Sequence, residues 1–386
     1  MQNNYFLHKK IAIIGASYLQ LPLIEKAREL GMETHVFAWA ANDVGEEAAD
    51  YFYPISIVEK EEILKKCMEI GIDGIASIAS DLASITVNYV AAHMHLIGNS
   101  LFCTEVSTNK HLMRQRFETF GVPSPMSILV SSVDEIDREK LPYPVIVKPL
   151  DRSGSRGITK VDCPEDLPGA ISYALETGFI KSVLIEEFVT GREYSVECYS
   201  WKGNHTFLAL TRKYTTGVPH FIETGHVEPA DVSPEELAGI QSIVFAALDS
   251  LEITYGASHA ELKIDDIGKI KMIEIGGRMG GDLIGSDLVR LSTGFDFVEA
   301  VLKIAMGYEP EPVTGKQKAA AIRFIFSQED LAVLNHLKDT HPEFLIAESF
   351  DALSESEIHD SSERCGYFLM AADQNTSLFP YLNDLE

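Results

Sequence analysis

The chain has 386 residues, 46% of them hydrophobic, with a mean hydropathy near zero, as expected of a globular protein with room for two or three cored domains. Its 32 basic and 58 acidic residues leave a formal charge of −26, a field that opposes nucleic acid and anionic membrane and argues against both as partners. Five scattered cysteines without a CxxC pair argue against a disulfide framework or a zinc site and suit a reducing, cytoplasmic setting. From the N-terminus, Lys10–Gly15 reads as a buried strand, Leu19–Leu30 as a helix ended by Gly31, and Thr34–Ala38 as a strand. The apolar run at Ile11 is too short for a signal segment or a membrane span. A helix over Glu59–Ile70, a strand over Gly74–Ala79 and a helix over Leu82–His93 continue the alternation, which predicts a parallel sheet with helices on both faces. The first turn, Gly15 to Gln20, lacks the full GxGxxG fingerprint and is a weak dinucleotide signal.

Thr108–Phe120 is amphipathic and predicts a connecting helix, stopped by Gly121 and Pro123. Tyr143–Pro149 and Ile158–Val161 read as strands around the small-residue loop Asp151–Gly157, and a helix runs from about Asp166 to Thr177. The strand Val183–Val189 turns at Gly191 into a strand over Glu193–Tyr199. Phe297–Met306 predicts a helix, and strands near Ala319–Phe326 and Tyr367–Met370 predict a small α+β appendage.

The most informative stretch is the hairpin between Glu261 and Glu274, whose two arms alternate apolar and polar residues. A turn centred on Ile267-Gly268 sets Glu261 opposite Glu274 and Leu262 opposite Ile273. Opposed Cβ atoms lie roughly 4.5–5.5 Å apart, so two bare carboxylates would repel unless a hard divalent cation sat between them. The plainer alternative is a solvated hairpin. Lys148 emerges from an apolar strand beside the Asp151–Gly157 loop, whose backbone amides and Arg156 suit a phosphate. Of Glu186 and Glu187, one points inward by strand alternation; the acid takes either a purine amine or a salt bridge to a neighbouring strand. Glu193 suits ribose hydroxyls or solvent. Arg278, in a glycine-rich turn, fits a clamp on a phosphoryl group or an ion pair with Glu274. His259 shares the strand face of Glu261, and His226 lies in a loop; each is a substrate contact or a structural histidine.

Taken in order, Lys110, Lys148-Pro149, the Asp151–Gly157 loop, Glu186-Glu187, Glu193, Glu261 and Glu274 with Arg278 resemble the ATP-grasp superfamily, over roughly residues 10–310. The resemblance implies an α/β protein of ATP-grasp fold. It places a Rossmann-like domain at 1–103, a small subdomain with connector helix and lid at 104–189, a large subdomain with the metal hairpin at 190–310 and an appendage at 311–386. It implies that Lys110 and Lys148 hold ATP phosphates and that Ser153, Gly154, Ser155, Arg156 and Gly157 form a mobile lid. Glu186 would accept from adenine N6, Glu187, Phe188 and Val189 would form the hinge strand, and Glu193 would hold the ribose. Glu261 and Glu274 would hold Mg2+, two ions in number, with Mn2+ as the substitute; Gly276 stands where many relatives carry a metal-binding asparagine. Arg278 would steady the acyl phosphate, and His226, His259, Gly280 and Gly281 complete the candidate substrate contacts.

Glu274–Asp282 and Asp287–Gly294 look most like the L-amino-acid ligase branch of carboxylate–amine ligases. The reaction implied is activation of a small carboxylate, an amino acid for example, by ATP and its capture by an amine. Two other readings stay open: activation of bicarbonate, and a nucleotide-binding oxidoreductase or sensor built on the N-terminal domain. A homodimer is left open.

Overall fold

The structure is a computed structural model that describes residues 5–150, 157–218, 221–311, 318–353 and 361–385. The first unit is a parallel sheet of β1 (Lys10–Ile14), β2 (Glu33–Phe37), β3 (Tyr51–Tyr53) and β4 (Gly74–Ala76), in the order β3-β2-β1-β4. Strand alternation builds a core on each face: Ile11 and Ile13 of β1 enter one, Ala12 and Ile14 the other. Helices α1 (Leu21–Glu29), α2 (Val44–Ala48), α3 (Lys60–Ile70) and α4 (Asp81–Met94) connect and cover the strands. The Ser80 hydroxyl caps α4 by accepting from the Ala83 amide at 3.2 Å.

The chain then runs through α5 (Leu101–Thr108) and α6 (Lys110–Phe120). The helix expected over Thr108–Phe120 is α6, which starts two residues later; Thr108 ends α5. Asn109 leaves the helical region (φ −102°, ψ 108°), and its side chain caps α6 by accepting from the amides of His111 and Leu112. The 103/104 boundary falls inside α5.

The second sheet is antiparallel, β5 (Ser127–Val130), β6 (Val145–Pro149), β7 (Thr159–Val161) and β8 (Val183–Glu187), ordered β5-β8-β6-β7 and packed on α7 (Leu167–Thr177) through Val145, Val147, Ile171 and Ile185. The third sheet has eight strands in the order β13-β12-β9-β10-β11-β14-β16-β15. These are β9 (Arg192–Trp201), β10 (Asn204–Thr215), β11 (Glu223–Glu228), β12 (Tyr255–Ile264), β13 (Ile270–Gly276), β14 (Ala319–Ile325), β15 (Leu345–Phe350) and β16 (Gly366–Ala372). Helix α8 (Pro234–Ser250) covers one face; α9 (Val289–Thr293), α10 (Phe297–Ala305) and α11 (Gln328–Thr340) follow. The C-terminal strands are not a separate sheet: Gly225–Glu228 of β11 pairs with Ala320–Arg323 of β14. The N-terminal core is likewise shared, because Phe297, Leu302 and Ile304 of α10 pack with Ile11, Ile13 and Leu23.

Candidate active site

A cleft of about 720 Å³ opens where the three sheets meet, lined by Asp81, Lys110, Lys148, Glu186, Lys213, His226, Glu261, Glu274 and Arg278 among others. Strand register explains why one face of the large sheet is so polar. Lys263, Glu193, Lys213 and His226 stand in one row across β12, β9, β10 and β11, and Glu197 stands opposite His259. Alternation puts Glu261 and Lys263 on the same face as His259.

At one end, β6 and β8 bring Lys148 opposite Leu184, so Glu186 is its diagonal neighbour on the same face. The Lys148 ammonium lies 2.5 Å from Glu186 Oε2, and Arg114 Nε donates to Glu186 Oε1 at 2.8 Å. Burial of Glu186 would raise its carboxyl, but the two cations reverse that and hold it at about 2. Burial lowers the Lys148 ammonium, with Glu186 opposing. Arg114 follows Lys110 by one helical turn on α6, so both project from one face. Lys110 sits 2.8 Å from Glu274, and Arg114 also donates to the Ile273 carbonyl at 2.5 Å. Glu186 is thus in a salt bridge, one of the two states expected of it. Glu187 pairs with Lys271 and accepts from the Met126 amide at 3.4 Å. The Phe188 amide donates to the Pro144 carbonyl at 3.2 Å, and its ring lies 6.1 Å from that of Phe221. Val189 lines the cleft. Ser153, Gly154, Ser155 and Arg156 lie outside the described residues; Gly157 is buried with φ +73°.

In the hairpin, Glu261 does oppose Glu274 across β12 and β13. Leu262, however, pairs with Met272 rather than Ile273: the turn sets a register one residue off the expected one, and a bulge between Glu261 and Leu262 brings Glu274 back opposite Glu261. Neither carboxylate is bare. Lys110 caps Glu274, and Lys213 lies 2.6 Å from Glu261, 3.4 Å from Glu193 and 3.7 Å from Glu223. These acids hold the Lys213 ammonium well above its ordinary range although burial acts to lower it. Glu193 lies in β9, as its strand reading expects, and is shared between Lys213 and Lys263 rather than left to solvent. Among the described residues no three His, Cys, Asp or Glu side chains converge as a ready-made cation cage. Two hard carboxylates opposed at the cleft wall, each neutralised by a lysine ammonium, do fit a divalent cation: the donor set is oxygen and the site already favours positive charge.

Arg278 does not pair with Glu274. Its Nε and Nη2 donate to the two oxygens of Asp81, in the first turn of α4, at 2.9 and 3.0 Å. His259 pairs through Nδ1 with the buried Glu197, and its Nε2 lies 3.3 Å from Glu261. Burial lowers the His259 imidazole, but Glu197 outweighs that and lifts it to about 9. The Gly280 amide donates to the other Glu197 oxygen at 3.0 Å, and a Cβ at Gly280 would meet Glu197 Oε1 at 2.5 Å, so only glycine fits.

At the other end, His226 is a fully buried residue of β11, not a loop residue, with Nε2 3.5 Å from Asp282. Burial lowers its imidazole. Asp282, next to Gly281 on the cleft wall, accepts two bonds from Arg364, at 2.7 and 3.0 Å; Arg364 also donates to Glu223 at 3.2 Å. Sequence reasoning missed Arg114, Lys213, Asp81, Asp282 and Arg364. A signal existed for Arg114, at helical spacing from Lys110, and for Lys213, a lysine inside a strand-like run; the other three meet only through the tertiary fold.

Residues 141–287 match a family described as ATP-grasp domain. Over 191 residues the chain is 28% identical to a D-alanine–D-alanine ligase of Hydrogenovibrio crunogenus, covering 46% of this chain and 58% of that protein. The chain thus spans little more than half the length of the first curated relatives it matches. An L-amino acid ligase from Bacillus licheniformis superposes with a TM-score of 0.83 at 22% identity, over 98% of this chain and 97% of that one. The biotin carboxylase domain of the Hydrogenobacter thermophilus 2-oxoglutarate carboxylase, solved with MgADP, ADP and bicarbonate, superposes with a TM-score of 0.77 at 16% identity, over 98% and 89%. No helix among the described residues is long and apolar enough to cross a membrane. The chain carries an ATP-grasp domain at residues 141–287 and has the ATP-grasp fold over nearly its whole length.

Proposed function

We propose that the chain is an ATP- and Mg2+-dependent ligase that activates a small carboxylate as its acyl phosphate and transfers the acyl group to an amine. The observation that carries this reading is the gathering of Lys110, Lys148, Lys213 and Arg278 around the opposed Glu261 and Glu274 in one cleft. In this reading Lys110 and Lys148 exchange their carboxylate partners for ATP phosphates, and the hinge Glu187–Val189 and Glu193 hold adenine and ribose. Glu261 and Glu274 would hold Mg2+, which neutralises phosphate charge. The substrate carboxylate attacks the γ-phosphorus, the bond to the β-phosphate oxygen breaks, and ADP leaves. An amine then attacks the acyl carbon, phosphate leaves, and the nitrogen gives up a proton. This chain's part is positioning and electrostatics rather than covalent participation. The cleft continues past Glu261 to Glu223, His226 and Asp282, room that bicarbonate alone would leave unfilled. A screen of amino acids for ADP release, with mass spectrometry of the product, tests the reading. An amide product is the expected result. ADP release that requires bicarbonate and no amine would overturn it.

A further inference from the structure

Gly276 stands two residues after Glu274, at the end of β13 and on the cleft wall. The space its side chain would fill is taken. A Cβ built there would lie 2.8 Å from Asp81 Oδ1 and 3.1 Å from the Arg278 guanidinium. Asp81 comes from the N-terminal unit, more than a hundred residues away in sequence, and its carboxylate meets Arg278 in a two-pronged bond. The approach is fixed from both sides. Asp81 opens α4 directly after the N-cap Ser80, and the Ala79 amide donates to the Met279 carbonyl at 3.2 Å. Ala79 adopts φ +60°, a conformation uncommon for a residue with a side chain, held here by the contact between the two units.

We infer that Asp81 is a positioning residue for the phosphoryl-transfer step: the N-terminal unit supplies, through the gap left by Gly276, the carboxylate that aims Arg278 into the cleft. This rests on the ligase reading above. An arginine side chain has many rotamers, and a two-pronged carboxylate partner selects one before substrate arrives. Because the partner belongs to a different unit, the aim of Arg278 depends on how that unit docks, and a side chain at residue 276 would compete with Asp81 for the same space.

The test uses the full chain, MgADP and fluoroaluminate, a planar anion that with MgADP imitates a phosphoryl group in flight. Calorimetry reads the affinity for MgADP alone and with fluoroaluminate. For Asp81→Ala the expected result is MgADP affinity within about twofold of wild type and at least a tenfold loss of the fluoroaluminate enhancement. If Asp81→Ala does not fold, Asp81→Asn keeps the shape and one acceptor, and at least a threefold loss is expected. The double variant Asp81→Gly with Gly276→Asp moves the carboxylate from α4 to β13 beside Arg278, and should regain part of the loss. Unchanged enhancement in the single variants, or a swap that regains nothing, overturns the inference. A wild-type chain that does not bind MgADP, or gains nothing from fluoroaluminate, overturns the ligase reading instead.

Discussion

The two ends of the cleft use the same materials, carboxylates held by cations, but mount the cations differently. At the proposed nucleotide end, Lys110 and Arg114 come from one helical turn, and Lys148 and Glu186 from adjacent strands of one small sheet. At the other end, Glu223, His226, Asp282 and Arg364 come from β11, the segment after β13 and the approach to β16. The difference separates cations set by a helical turn and by strand pairing from a cation that arrives on a loop; at both ends the paired groups lie far apart in sequence, 72 residues for Arg114 and Glu186 and 82 for Asp282 and Arg364. It also sets what each end tolerates, since the first is tied to both antiparallel sheets through α6 and the second depends on how three segments meet.

The largest effect that would break this comparison is at the hairpin. Glu274→Gln removes a carboxylate that, in the ligase reading, faces the phosphate path, and turnover should fall by about a thousandfold. Near-normal ADP release with Mg2+ present would remove the hairpin from the proposed nucleotide end. Lys148→Ala comes next. It leaves the buried Glu186 with Arg114 alone, so unfolding stability should drop by about 3–5 kcal/mol and ATP affinity should weaken, by denaturant titration and calorimetry.

Arg364→Leu probes the other end. It strips Asp282 of two hydrogen bonds and should cost about 2–4 kcal/mol, yet leave MgADP affinity within about twofold. A large loss of MgADP affinity would show that the two ends are not separable. The smallest effect belongs to Glu228, a buried acid that has no cation partner among the described residues and is held by hydroxyls of Thr211 and Ser292. Burial lifts its carboxyl to about 7. The protonated form is favoured in the folded state, so its stabilising contribution is complete below the ordinary carboxylate value of about 4.5 and is lost as pH rises through 7. Glu228→Gln should therefore raise stability by about 1–2 kcal/mol at pH 8 and change little at pH 5, by thermal unfolding at the two values. Glu186 has the opposite sign: its contribution is present above the ordinary carboxylate value and fades as pH falls toward about 2.

Most of the scaffold was legible because each piece carries a local pattern: contiguous apolar runs for β6 and β8, a period-2 run for β12, amphipathic runs for α1 and α3, and a serine cap before α4. The opposition of Glu261 and Glu274 depends on the bulge: the pairs nearest the turn, Leu262 with Met272 and Lys263 with Lys271, are one residue off the register expected from a turn at Ile267-Gly268, and the extra residue Ile273 on β13 restores it at Glu261. Partners were less legible. Arg278 has acidic neighbours in sequence, but its bonded partner is Asp81, and nothing local to either residue announces the other. His226 read as a loop because glycine and proline flank it; strand pairing on both sides, to Lys213 and Ile322, overrides that signal.

Helix α6 serves as a gauge between the two antiparallel sheets. From one face it places Lys110 on Glu274 of the large sheet and Arg114 on Glu186 of the small one, and Arg114 also reaches the Ile273 carbonyl. A single residue inserted between Lys110 and Arg114 would turn one contact about 100° away from the other, since each residue advances the helix by that angle. The spacing of four is thus a length constraint on the chain. Loops elsewhere in the protein can lengthen, whereas this one turn has to keep its count for both sheets to present their charges to the same cleft.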